Sequence, residues 1–494
     1  MTIREALLGP ALPRSAEATE RVSTLRGVGA FGLDALASTV YGPDEIFYVL
    51  ALAGAAATWG VPVALAIVLL LIIVTTSYRQ TIFAYPNGGG SYTVARENLG
   101  SKIGVVAAVA LMVDYLTNIA VSVTAGVAQI AAFAPSLYTY RVPVSVACIG
   151  VMMVVNLRGV REASFAFLLP TYAFVGSVAA LVAWGLLQMV TGHLHPVYHA
   201  LHAAQENVTL ALLLRAFAEG CTALTGIEAI SNGVPVFTEP PSRTAARTLL
   251  FLASTLGLLF AGVALLASRT GAVPTGDNSV IAQVGTAVAG QGVLFHAVQI
   301  TAAVVLILAA NTSFNGFPSL AATMAKDNYL PQQFAHRGLR LVYSHGIVVL
   351  GVLAMALVVA FNGSTHLLIP LFAVGVFLCF TLSQLGMVRH WLRRRTQGWQ
   401  TKLVINGLGA LTTAVTTVIM TVTQFSEGAW LVLLLVPLLA LFIGSPAGLM
   451  RWFPVVSPED GDRAFRRPAQ RRSSPPGAGQ GTGTAPCGSF PSSS

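Results

Sequence analysis

The sequence predicts an all-α membrane protein with twelve transmembrane helices, laid out as a 5+5 inverted repeat whose helices 1 and 6 are broken. Three observations carry this expectation. Hydrophobic residues fill 55% of the 494 positions and charged residues only 10%, with a mean hydropathy of +0.72; a soluble domain carries about 25% charge. The apolar runs are long and continuous and do not alternate, which excludes a β-barrel. Two of those runs, five spans apart, are interrupted by polar residues that include an acid. Five is the offset that inverted repeats of spans 1–5 and 6–10 would produce.

The first 26 residues hold Arg4, Arg14, Arg21 and Arg26 and no apolar core. They read as a cytoplasmic N-terminal segment, not a cleavable signal peptide. Runs of bilayer length follow near 27–54, 58–80, 104–133, 141–157, 164–191 and 211–238. Six more lie near 247–268, 291–325, 343–361, 366–391, 403–424 and 428–450. The transmembrane domain then covers 27–453, in a cell membrane, with both termini cytoplasmic. Only Arg141, Arg215 and Arg269 fall on the outer side, and the other 25 of the 28 Lys and Arg lie inside or at the inner boundary. That is the positive-inside bias, and it accounts for the net charge of +9 without nucleic acid as a partner. From 454 to 494 the chain is rich in Pro, Gly, Ser and Arg and reads as a disordered tail.

Span 1 contains GLDALASTVYG, from Gly32 to Gly42. Asp34 falls in its inner half, Ser38 and Thr39 at the middle, Tyr41 and Gly42 just beyond. Pro43 removes a helix hydrogen bond, so a break is expected at Ser38–Gly42. Asp34 reads either as an acid at the cytoplasmic rim or as part of an ion pathway. Asp44 and Glu45 are expected to face outer water. In span 3, Asp114, Asn118 and Ser122 follow at steps of four and share one helix face, with Tyr115 beside them. Such a stripe either glues helices together or lines a cavity.

Span 6 holds the stretch the rest of the chain answers to, AFAEGCTALTGIEAISNGVPVFT, from Ala216 to Thr238. Thr222, Thr225, Gly226 and Glu228 sit at its middle. A carboxylate at that depth costs about 2.5–3.5 kcal/mol on insertion scales. The Thr-Gly backbone at Thr222 and Gly226 reads as unwound, and unwound backbone survives in a membrane only when it is buried in protein or lines a cavity. A substrate or ion site and a hydrogen-bonded Glu in a structural bundle both fit.

Other chemistry is thin. Cys148, Cys221, Cys379 and Cys487 share no close spacing, so neither a disulfide nor a metal framework is expected. His193, His195, His199 and His202 crowd one loop, which reads as a polar outer loop. There is no Walker loop, zinc-protease helix or serine-hydrolase elbow. Neither an enzyme nor a cofactor is expected, and nothing here would drive transport by nucleotide hydrolysis.

The strings FGLDALASTVYG, YRQTIFAYPNGGGSYTVARENLG, LMVDYLTNIAVSVTAG, NLRGVREASFAF, CTALTGIEAISNGVP and AANTSFNGFPSLAATMAKDNYLP resemble the KimA-type potassium importers. These belong to the amino acid–polyamine–organocation (APC) superfamily. The resemblance runs from about Phe31 to Gln384. It implies the LeuT-type fold and proton-coupled potassium uptake. By the same match it implies a potassium pathway through Asp34 and Tyr41, through Asp114, Tyr115 and Ser122, and through Thr225 and Glu228. Two positions depart: Asn118 stands where the family pattern has Thr, and Phe372 where it has Tyr. Asn118 still offers a carbonyl oxygen; Phe372 offers none. The soluble C-terminal domain frequent in that family is replaced here by the short tail.

Potassium prefers several oxygen ligands, and this set is rich in them. Glu228 is the candidate for proton coupling, since a desolvated carboxyl can be neutral in one state and ionised in another. The expected motion is alternating access, with spans 1, 2, 6 and 7 rocking against the rest. The rival is an amino acid or polyamine permease, and a third reading is a transporter-like sensor or scaffold. The partners are therefore potassium and protons, or an amino acid, in a lipid bilayer; a homodimer is left open.

Overall fold

In the computed structural model the described residues are 21–88, 90–131, 135–158, 163–196, 207–274, 278–338 and 342–444. The chain divides into two compact units, Met1–Arg451 and Trp452–Ser494. The second unit, residues 1–20, His199 and His202 lie outside the described residues, so most of the expected N-terminal segment and the whole expected tail go without comment.

Among the described residues the secondary structure is helical, with no strand and one isolated bridge, Val22 to Phe237. In chain order the helices are α1 (Thr24–Phe31), α2 (Leu33–Ala51), α3 (Ala56–Ala84), α4 (Ser91–Leu99), α5 (Ser101–Ala131), α6 (Arg141–Arg158), α7 (Ala163–Thr191) and α8 (Leu210–Gly220). There follow α9 (Glu228–Asn232), α10 (Pro241–Thr270), α11 (Val280–Ala289), α12 (Val293–Lys326), α13 (Ser344–Ala360), α14 (Thr365–Arg394), α15 (Trp399–Thr423) and α16 (Ala429–Gly444). Nine helical segments among them are long and apolar enough to cross a membrane. They coincide with nine of the twelve expected spans; α2 and the shorter apolar α13 and α16 occupy the positions of the other three.

The helices that pack at the centre are those whose apolar runs are interrupted by polar residues. About four-fifths of the α5 window is buried inside the protein (78%), against 22% for the window that includes α6. The outer helices point Leu and Val outward, as Leu69, Leu258 and Val404 do; in lipid such exposure carries no penalty.

The break expected at Ser38–Gly42 is not there. The chain is helical from Leu33 through Ala51 with Pro43 inside, and the interruption falls at Gly32, between α1 and α2. Ser38 and Gly42 are therefore not break residues. The Ser38 and Thr39 hydroxyls donate to the carbonyls of Ala35 and Leu36, both at 2.6 Å, satisfying the helix locally. Gly42 serves close packing instead: a Cβ there would come within 2.8 Å of the Phe260 ring and 3.0 Å of the Ala223 Cβ.

Asp44 and Glu45 do not face open water either. Glu45 is buried, with His366 Nδ1 3.0 Å from its Oε1. Asp44 is half-buried, and its Oδ1 accepts from the Val280 amide at 2.6 Å, at the start of α11. The covering groups come from 321 and 236 residues further along the chain. Asp44→Asn keeps the acceptor, so the melting temperature should hold; Asp44→Ala strands the Val280 amide and should cost about 1 kcal/mol. Thermal unfolding of the purified variants checks both.

On one edge of the bundle a polar knot joins three helices. The Asn406 amide donates to Gln384 Oε1 at 2.7 Å and to Ser77 Oγ at 2.6 Å, while Ser77 donates to Gln384 and Trp391 Nε1 donates to Asn406 Oδ1 at 2.8 Å. Ser77, Gln384 and Asn406 are fully buried. Where α4 meets the end of α12, Arg96 pairs with Asp327, which also accepts from the Tyr92 hydroxyl at 2.6 Å. Burial pushes the Tyr92 phenol up from its ordinary range, so it remains a donor.

Candidate functional site

The segment after α8 loses its regular coil for several residues. Cys221–Leu224 forms a 3-10 turn, Thr225 is extended, and Gly226 takes φ +78° before α9 begins at Glu228. A left-handed backbone favours glycine, and space requires it as well: a Cβ on Gly226 would stand 2.8 Å from Asp34 Oδ2 and 2.9 Å from the Ala35 amide. The irregular segment thus lies directly against α2. Two more contacts hold it: Ser38 Oγ donates to the Ala223 carbonyl at 2.9 Å, and the Tyr41 hydroxyl lies 3.4 Å from Thr225 Oγ1. The Thr222 hydroxyl is turned back to the Glu219 carbonyl at 2.7 Å, and Thr225 to the Thr222 carbonyl at 3.1 Å.

α5 contributes the third side. Asn118 accepts from Ser122 at 3.1 Å and donates to Ser313 of α12 at 3.0 Å. Asp114 feels the charges of Glu228 and Asp34, and Glu228 feels that of Asp34. All three carboxyls are buried, and each has one oxygen, Asp34 Oδ1, Asp114 Oδ1 and Glu228 Oε2, with no hydrogen-bond partner among the described residues. Among the described residues none of the three is ion-paired with a basic side chain. They do not converge as ligands of a compact metal centre: among the described residues no three His, Cys, Asp or Glu are grouped to hold one.

Tyr115 stands one step aside. Its hydroxyl accepts from Asn232 at 3.2 Å, and its ring packs on Gly316 where a Cβ would not fit. Phe372 of α14 is fully buried and brings no oxygen. Ser38 belongs with the site as the clamp on Ala223, while Gly42 belongs to the packing described above. His193 and His195 are exposed.

Sequence reasoning passed over α12. Ser313 holds Asn118, and the neighbouring Asn311 and Thr312 carry buried side-chain oxygens without a partner among the described residues. The signal was present as Asn311-Thr312-Ser313, three polar residues inside an apolar run.

A family described as amino acid permease matches residues 32–443. The chain belongs to that amino acid permease family. A potassium transporter, KimA of Bacillus subtilis (strain 168), is 41% identical to this permease-family chain over 443 residues, covering 89% of it and 73% of the relative. A solved manganese transporter of Eremococcus coleocola, in complex with an aromatic bis-isothiourea substituted compound, matches with a TM-score of 0.45 and 13% identity. That match covers 90% of this chain and 97% of the other, and it is too loose to place any element. The family match spans every acid of the site and both helix interruptions.

Proposed function

We propose that this permease-family protein is a secondary active potassium importer driven by protons. In this reading α2, α13 and α16 also cross the membrane, making twelve transmembrane helices in a LeuT-type 5+5 inverted repeat. Helix 1 is α1–α2, helix 6 is α8–α9, the domain covers 27–453, the 454–494 tail is disordered, and both termini are cytoplasmic. The potassium transporter relative supports the substrate class. The observation that carries the reading is the set of three membrane-buried carboxyls, each with an unpartnered oxygen and none ion-paired with a basic side chain among the described residues. Acids in that position must be protonated or balanced by a mobile cation. A site with those two options exchanges protons for a cation.

Potassium would be held by oxygens of Asp34, Tyr41, Asp114, Asn118, Ser122 and Thr225, with Tyr115 along the path and Glu228 carrying the coupling proton. Alternating access would rock α1–α3 and α8–α10 against the remaining helices around this fixed site. An amino acid substrate fits less well, because its own carboxylate would meet three acids.

The test is flux into liposomes holding the purified protein. Rubidium tracer should enter, potassium should compete, common amino acids should not, and acidifying the outside should speed uptake. Amino acid uptake without rubidium uptake would overturn the reading.

A further inference from the structure

A cleft of about 520 Å³ lies between α3, α14 and α15, away from the buried acids. Gln80 and Phe83 form one wall, His390, Trp391 and Arg394 another, and Lys402 a third. The polar knot underneath holds these helices together, and the hydrogen bond from Trp391 to Asn406 sets the indole as a fixed wall. The Lys402 ammonium sits over that ring, 4.7 Å from its centroid.

Several polar groups around the cleft have no hydrogen-bond or ion-pair partner among the described residues. His390 is only 6% exposed; its ring rests against Tyr85 and Trp391, centroids 5.5 and 4.9 Å away, and makes no hydrogen bond among the described residues. Arg394 and Lys402 form no ion pair among the described residues, and Gln80 Oε1 is buried without a partner. Glu97 is an acid whose charge acts on His390, alongside that of Arg394. The positive-inside bias explains why cations lie at this end of the bundle. It does not explain a buried, unbonded imidazole opening into a cavity that two cations share.

Apolar surface continues outward from the cleft. Phe83 is half exposed, and Val404 and Leu408 of α15 face outward. We infer that this cleft seats the phosphate of an anionic phospholipid from the adjoining leaflet, with its acyl chains along that apolar face. Arg394 offers a planar fork to the phosphate oxygens, Lys402 a point charge, and His390 and Gln80 further donors. Basic pockets between transmembrane helices recognise anionic headgroups by this chemistry. The bound lipid would bridge α3 to α14 and α15 above the polar knot.

Native mass spectrometry of the full chain in a neutral detergent tests this. The wild type should retain one phosphatidylglycerol and release phosphatidylcholine. The Arg394→Gln/Lys402→Gln double variant should bind phosphatidylglycerol about tenfold more weakly. Arg243→Gln/Arg247→Gln, cations that do not line the cleft, should bind it as the wild type does, and thermal melts establish that both variants fold. Equal retention by the cleft variant, equal loss by the control variant, or equal retention of phosphatidylcholine would each overturn the site. Inorganic phosphate separates the two sources of the group. A thermal shift that the cleft variant loses supports a phosphate site whose ligand can be free phosphate, and no shift leaves the lipid as its source.

Discussion

Glu228→Gln should reduce rubidium uptake to the level of empty liposomes while the protein stays folded. The amide keeps the side chain's shape and both of its polar ends but cannot change charge, so a proton can no longer be exchanged for the cation there. Glu228 is buried, its Oε2 has no partner among the described residues, and the charge it feels is that of Asp34. Removing an uncompensated acid from a low-dielectric interior relieves a cost, so the melting temperature should be unchanged or higher. Wild-type uptake with wild-type pH dependence in this variant would remove Glu228 from the mechanism.

Gly226→Ala should damage both folding and transport. At φ +78° a side chain is strained by about 1–3 kcal/mol. The added Cβ would also press to 2.8 Å from Asp34 Oδ2 and 2.9 Å from the Ala35 amide, and overpacking of this kind costs about 1–3 kcal/mol more. A loss of about 2–6 kcal/mol is expected, read as a clear drop in melting temperature, with uptake falling alongside because Asp34 is displaced. Gly176→Ala is the control: its Cβ would meet nothing within 4 Å, so it should melt at or above the wild-type temperature. If Gly226→Ala behaved like the control, the left-handed turn would have no role in holding the acids together.

Much of this was legible beforehand, for identifiable reasons. Membrane helices announce themselves because no alternative structure satisfies the backbone in lipid, and the expected spans fall on the helices found. The irregular stretch around Thr225 and Gly226 was also visible, since an acid beside Thr and Gly in an apolar run has few structural uses. The first interruption was displaced by local chemistry. Ser38 and Thr39 suggested a break, but their hydroxyls return to the helix's own carbonyls, and the lone Gly32 a few residues earlier carried no such mark. Glu45 and Asp44 were misplaced because what covers them, His366 and the Val280 amide, comes from distant sequence. No local pattern encodes such partners. Ser313 was missed for the same reason, although its polar neighbours hinted at it.

The knot of Ser77, Gln384, Asn406 and Trp391 limits how such a machine could move. Parting those helices would leave an amide and a hydroxyl stranded in hydrocarbon, at several kcal/mol each. A swing of α3 that kept the knot closed would have to turn about it, so this edge would act as a fulcrum and the widest travel would come at the far end of the helix.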